Sequence, residues 1–174
     1  MENGLIAFCG VDCSACLDYT EARCPGCRET VWPEGDACMP VACCEEKGFS
    51  SCSECPGFPC EEMDGFYGES ESHREAFVRM MEHREQIKRI AYFEGILREL
   101  QQLVSKPDSE ALAAFREKVE ELGAYYESED WRQDFADDEA GLLPRDLPRG
   151  VLSEDGIWNA LEAWCECLEE AGLA

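Results

Sequence analysis

Three cysteine pairs, each with two residues between its members, constrain this chain more than any other feature: Cys13 and Cys16, Cys24 and Cys27, Cys52 and Cys55. A tight turn within such a pair presents two thiolates to one ion, which is how a tetrahedral zinc site is assembled. Cys9, Cys38, Cys43, Cys44 and Cys60 bring the total in residues 1–64 to eleven of the chain's thirteen cysteines. The same stretch holds nine Leu, Ile, Val and Phe residues, against twenty-five in residues 65–174. Aliphatic burial alone is therefore too scarce to fold the first third. Thiolate–metal bonds can take over that role, because structural zinc contributes on the order of 10–16 kcal/mol to small peptide domains.

The candidate metal ligands are Cys9, Cys13, Cys16, Cys24, Cys27, Cys38, Cys43, Cys52, Cys55 and Cys60. Eleven thiols allow two four-cysteine zinc ions and leave three over. The adjacent Cys43 and Cys44 are expected to point in different directions, which makes Cys44 the spare. All-thiolate ligation also suits an iron–sulfur cluster, and Cys52, Cys55 and Cys60 form a triplet that a cluster could use. The bacterial ferredoxin run ending in Cys-Pro is absent, which favours zinc. Disulfides are the competing staple. The N-terminus lacks a basic segment followed by a full apolar one, so a reducing, cytoplasmic setting is expected and disulfides are disfavoured.

Charge excludes several function classes. Thirty-nine acidic residues against fifteen basic ones give a formal charge of −24 at pH 7. Clustered Lys and Arg, the usual basis for binding nucleic acid, are missing, and adsorption to an anionic membrane is disfavoured. No apolar run reaches the length of a membrane span. Catalysis has no evident anchor either. A nucleophilic cysteine needs a nearby imidazole or helix N-terminus, and the two histidines, His73 and His83, fall in the helical half and read as solvated. His73-Arg74-Glu75 matches the His-x-Glu of zinc deaminases, but no Pro-Cys-x-x-Cys follows it. The expectation is a metal-binding adaptor or interaction protein, whose partner is an unidentified protein or small molecule. An iron–sulfur redox protein and an enzyme with an open zinc position or reactive thiol are the alternatives.

After residue 68 the period becomes helical. Ile90, Phe93, Leu97, Leu100 and Val104 form one stripe; Leu112, Phe115, Val119, Leu122 and Tyr126 a second; Ile157, Leu161, Trp164 and Leu168 a third. Asp108 and Ser153 stand where N-caps belong. Earlier, short helices are expected after Asp12 and from Val41 to Lys47. The fold class is mainly α: an irregular, metal-stabilised Cys-rich domain at 1–68, then an antiparallel bundle of about three helices at 69–174. Residues 127–155 read as an acidic, turn-rich clamp, with Trp131 and Phe135 on one helical face and Leu142, Leu143, Val151 and Leu152 pinning it. Asp130, Asp134 and Asp138 form a row that could hold magnesium or calcium, or else a charged face neutralised by Arg132, Arg145 and Arg149. Cys165 and Cys167 lie about 200° apart on an ideal helix and cannot share an ion; Cys165 flanks the apolar stripe and is expected to pack.

The run Phe8-Cys9-Gly10-Val11-Asp12-Cys13-Ser14-Ala15-Cys16, with Cys24-Pro25-Gly26-Cys27, Cys43-Cys44-Glu45-Glu46-Lys47-Gly48 and Cys52-Ser53-Glu54-Cys55-Pro56-Gly57-Phe58-Pro59-Cys60, resembles domain-of-unknown-function family 3795 over about residues 5–85. Val11 replaces the family's usual Leu. Tyr125 to Trp131, Asp134-Phe135, Asp138 to Gly141, Leu143 to Leu147 and Arg149 to Asp155 resemble domain-of-unknown-function family 4298 over about residues 86–170. The first resemblance implies a metal-binding domain and the second names no activity. Together they imply a fusion.

Overall fold

The computed structural model describes residues 6–173 apart from 15, 29, 32, 34, 36 and 145, so Arg145 of the acidic clamp lies outside the described residues. The chain is mainly helical. Among the described residues there are seven α-helices and no strand, only an isolated bridge between Ile6 and Asp12. No described helix is long and apolar enough to cross a membrane. Two compact units divide the chain, residues 1–85 and 86–174, and the division falls inside a helix.

The first unit is mostly loops around short helices: α1 (Leu17–Thr20), α2 (Met39–Lys47), α3 (Asp64–Gly68) and the start of α4 (Glu71–Ser105). The two expected early helices are α1 and α2. Pro40 in the first turn of α2 suits a position whose N–H has no partner in the helix. Ser70 accepts a hydrogen bond from the His73 backbone N–H and contacts His73 Nδ1 at 2.8 Å, so this imidazole helps cap α4 rather than standing in solvent. Its ring also lies 4.3 Å from that of Phe66.

Where loops leave carbonyls without regular partners, arginines take them up. Arg28 donates to Ile6 O and Ser50 O while its guanidinium lies over Phe8. Arg84 donates to the carbonyls of Cys55, Pro56 and Phe58. The buried set contains Val11, Phe58, Met63, Tyr67, Ala76 and Met80 together with Cys9, Cys13, Cys44 and Cys52. Ala76 and Met80 thus show the first turns of α4 packing with the cysteine-rich segment.

Gly10 follows Cys9 with φ at +78°, and a Cβ there would lie 2.6 Å from Met80 Sδ. Gly26, inside the Cys24–Cys27 knuckle, has φ at +79° and would crowd Tyr19 at 2.9 Å. Both need a residue without a side chain. Gly10→Ala is expected to destabilise the first unit by about 1–3 kcal/mol through left-handed strain and overpacking. A denaturant midpoint unchanged from wild type would contradict this.

The second unit begins within α4 and continues through α5 (Ser109–Tyr126), α6 (Glu129–Glu139) and α7 (Glu154–Glu170). Asp108 and Ser153 cap α5 and α7 as expected, accepting from Ala111 N and Gly156 N. Ser128 likewise caps α6 through Trp131 N. The three stripes meet in one core, with Ile90, Leu97, Leu100, Leu112, Leu122 and Ile157 almost fully buried.

Two assignments shift, one by a single residue and the other by two. Tyr125, not Tyr126, is the buried ring of α5, stacked on Phe93 at 4.0 Å. Cys167, not Cys165, packs on the core: its sulfur contacts Val104 O at 3.9 Å, whereas Cys165 is exposed.

The 127–155 segment docks largely as read. Trp131 is buried, stacks on Phe135 and donates Nε1–H to Val151 O at 2.9 Å. Leu143, Val151 and Leu152 are buried. Leu142 is not: it is 53% exposed, directly after the left-handed turn at Gly141 that follows the end of α6.

Candidate metal centre

All thirteen cysteines are free thiols. Those of the first unit fall into two neighbourhoods. Proximity to Cys27, Cys16 and Cys24 disfavours ionisation of Cys13, proximity to Cys27, Cys38 and Cys13 that of Cys9, and proximity to Cys27 and Cys24 that of Cys38. Six of the candidate ligands therefore lie within electrostatic reach of one another around the first two knuckles. The second neighbourhood lies beside α2, where Cys43, Cys44, Cys52, Cys55 and Cys60 line one cavity of about 90 Å³.

Within it, Cys44 Sγ and Cys52 Sγ are 3.7 Å apart. Cys44 is 2% exposed and Cys52 7%. Lys47 donates from Nζ to Cys43 Sγ at 3.2 Å, and that sulfur is the main influence holding the lysine's own pKa up. Neighbours on a helix are turned by about 100° rather than opposed. Both Cys43 and Cys44 can therefore border one groove, and they do. Cys44, set aside as a spare on the sequence, is among the most buried cysteines of the chain.

Burial sets the protonation of these sulfurs. Desolvation pushes the Cys9 and Cys52 thiols up to about 12 and Cys13 up to about 11, from the ordinary 9.0. Cys44 is raised for the same reason, against the opposing hydrogen bond with Cys52. Burial also pushes the Tyr67 phenol up, and its hydroxyl donates to Cys9 O at 3.3 Å. Without an ion these are neutral thiols, and a bound cation would supply the charge that makes them thiolates. As placed, no three Cys, His, Asp or Glu side chains among the described residues enclose a common ion position.

The acidic row behaves differently. Asp134 is wholly buried and saturated: Arg89 donates from Nε and from one Nη, Tyr125 donates its hydroxyl at 2.7 Å, and Gln86 donates Nε2–H at 3.0 Å. Arg89 also faces Asp130, and Arg149 pairs with Asp138. Arg132 pairs with Glu129 instead of the row. Arginine thus takes the place a hard cation would have filled. Glu94 is a second buried acid, accepting from Val151 N at 2.7 Å and from Arg98. Sequence reasoning passed over both networks, although a signal existed. Gln86 and Glu94 continue the stripe through Ile90 at steps of four, and a polar residue on an apolar seam marks a buried partner.

Two family models match, one after the other. Residues 5–65 match the family described as Protein of unknown function (DUF3795), and residues 79–171 match the one described as Domain of unknown function (DUF4298). No curated protein and no solved structure matches the chain.

Proposed function

We propose that this chain, which belongs to the DUF4298 family and carries a DUF3795 match ahead of it, is a cytoplasmic thiolate metal-binding adaptor. Zinc, as two ions, organises its first unit, and the second unit, an antiparallel bundle with the 127–155 clamp, presents a surface to a protein or small-molecule partner. One observation carries the reading. Cysteine sulfur occupies interior positions of the first unit that aliphatic side chains would occupy in an ordinary core, and it is unpaired there. Such sulfurs are inert packing unless a soft cation ionises them. All-sulfur donors suit zinc, and four thiolates close its tetrahedron, which leaves no open position for catalysis. A strongly acidic chain disfavours nucleic acid and anionic membrane as partners.

Elemental analysis and an absorption spectrum of anaerobically purified full-length protein test this. The expected result is stoichiometric zinc in a colourless sample. Brown protein with a reducible band near roughly 400 nm would replace zinc with an iron–sulfur cluster. Absence of any bound transition metal would end the metal reading altogether.

A further inference from the structure

We infer that the cavity beside α2 is a metal centre of its own, separate from the one served by Cys9, Cys13, Cys16, Cys24, Cys27 and Cys38, with Cys44 and Cys52 as two of its ligands and the others drawn from Cys43, Cys55 and Cys60. This rests on the thiolate-metal reading above and gives it a ligand that the spacing of the cysteine pairs does not reveal.

The spacing of the two buried sulfurs is the first argument. Zinc–sulfur bonds of about 2.3 Å in a tetrahedron set neighbouring ligands about 3.8 Å apart. Cys44 Sγ and Cys52 Sγ stand at 3.7 Å, already on such an edge. They come from different elements, one from α2 and the other from the one-turn helix Cys52–Glu54, so the fold and not a local knuckle brings them together. The Cys52 N–H donates to Phe8 O at 2.9 Å, which ties that turn to the opening segment.

The surroundings are the second argument. The three remaining sulfurs, Cys43, Cys55 and Cys60, line the same cavity, so the shell would be completed by turning side chains already present. Phe49 and Phe58 supply apolar walls, Glu62 is the one carboxylate, and no imidazole lines the cavity. A sulfur-dominated, weakly solvated donor set selects a soft or borderline ion over magnesium or calcium. The third argument is Lys47. A four-thiolate site carries net −2, and the ammonium at 3.2 Å from Cys43 Sγ offers the N–H···S bond with which an outer partner offsets such charge.

Cadmium serves as the probe, because thiolate–cadmium bonds absorb in the ultraviolet where zinc is silent. Anaerobic titration of full-length apo-protein is expected to saturate at two ions. The Cys44→Ser/Cys52→Ser variant should saturate at one, and Cys13→Ser/Cys16→Ser should lose the other. If Cys44→Ser/Cys52→Ser binds as many ions as wild type, the cavity is not a centre, while the wider metal reading survives. If wild type binds none, that wider reading falls first. Should the Cys44→Ser/Cys52→Ser variant fail to fold, alkylation of Cys44 in the Cys13→Ser/Cys16→Ser chain decides. Cadmium should slow it by about tenfold or more, since a coordinated thiolate is withheld from the electrophile. An unchanged rate overturns the inference.

Discussion

Replacing Asp134 with Ala is expected to cost the second unit about 3–5 kcal/mol, the usual penalty for removing one partner of a buried ion pair. Asp134 has no exposed surface and holds three donors at once, the Arg89 fork, the Tyr125 hydroxyl and the Gln86 amide. Deleting the carboxylate leaves a partly buried guanidinium without its counter-charge and a phenol without its acceptor. The ring that carries that phenol stacks on Phe93 in the core, so solvating it would disturb apolar packing as well. Asp134→Asn keeps the shape and one acceptor oxygen but not the charge, and should fall between wild type and the Ala variant. Asp138→Ala is the control. Its pair with Arg149 is partly solvated, and such bridges contribute about 1 kcal/mol or less. Urea unfolding followed by tryptophan fluorescence in a Trp32→Phe background reports the second unit, since the remaining three, Trp131, Trp158 and Trp164, all lie within it. Equal midpoints for Asp134→Ala and Asp138→Ala would show that the burial of Asp134 has no energetic consequence.

That network also marks where sequence reading stops. Periodicity finds the stripes of α4, α5 and α7 because apolar residues at helical spacing have one low-energy fate, burial against one another. Asp108 and Ser153 are legible because an orphan N–H group needs a local acceptor. Asp134 has no such local rule. Its partners lie on other helices, and only tertiary contact distinguishes an aspartate that accepts an arginine fork from its exposed neighbour Asp130. The Tyr125 and Tyr126 exchange has the same origin, for two adjacent rings on a helix differ by only 100°. In the first unit the cysteine pairs are visible as motifs. Cys44 escapes, since it belongs to no pair and meets Cys52 through a turn that spacing does not encode.

Chelator treatment is expected to speed the slow amide exchange of residues 6–63 without abolishing it, the unit loosening rather than unfolding, and to leave residues 86–173 largely unchanged. Four of the eleven described members of the first unit's buried cluster are cysteines, so its packing loosens once the sulfurs lose an ion. The second unit has its own core of Leu, Ile, Val and aromatic side chains and contributes no candidate ligand. Unchanged protection of residues 6–63 after chelation would remove metal from the folding of this unit.

The same sulfurs fix how metal affinity depends on pH. Burial raises Cys9 and Cys52 to about 12 and Cys13 to about 11 in the metal-free fold, against 9.0 for an ordinary thiol. A raised thiol holds its proton more tightly, so each of these groups must give up a full proton before it can bind an ion at neutral pH. Protons therefore compete with metal throughout the neutral range, and apparent affinity climbs with pH by about tenfold per unit for each proton displaced. For solvated thiols the climb would end near 9.0; for these it continues toward 11 to 12. Competition titrations against a chelator at several pH values, with released protons counted by calorimetry in buffers of different ionisation enthalpy, measure both quantities. An affinity that levels off by pH 8 with no proton release would mean that the sulfurs facing the ion are already ionised, and that the interior positions of Cys9, Cys13 and Cys52 are not where the metal binds.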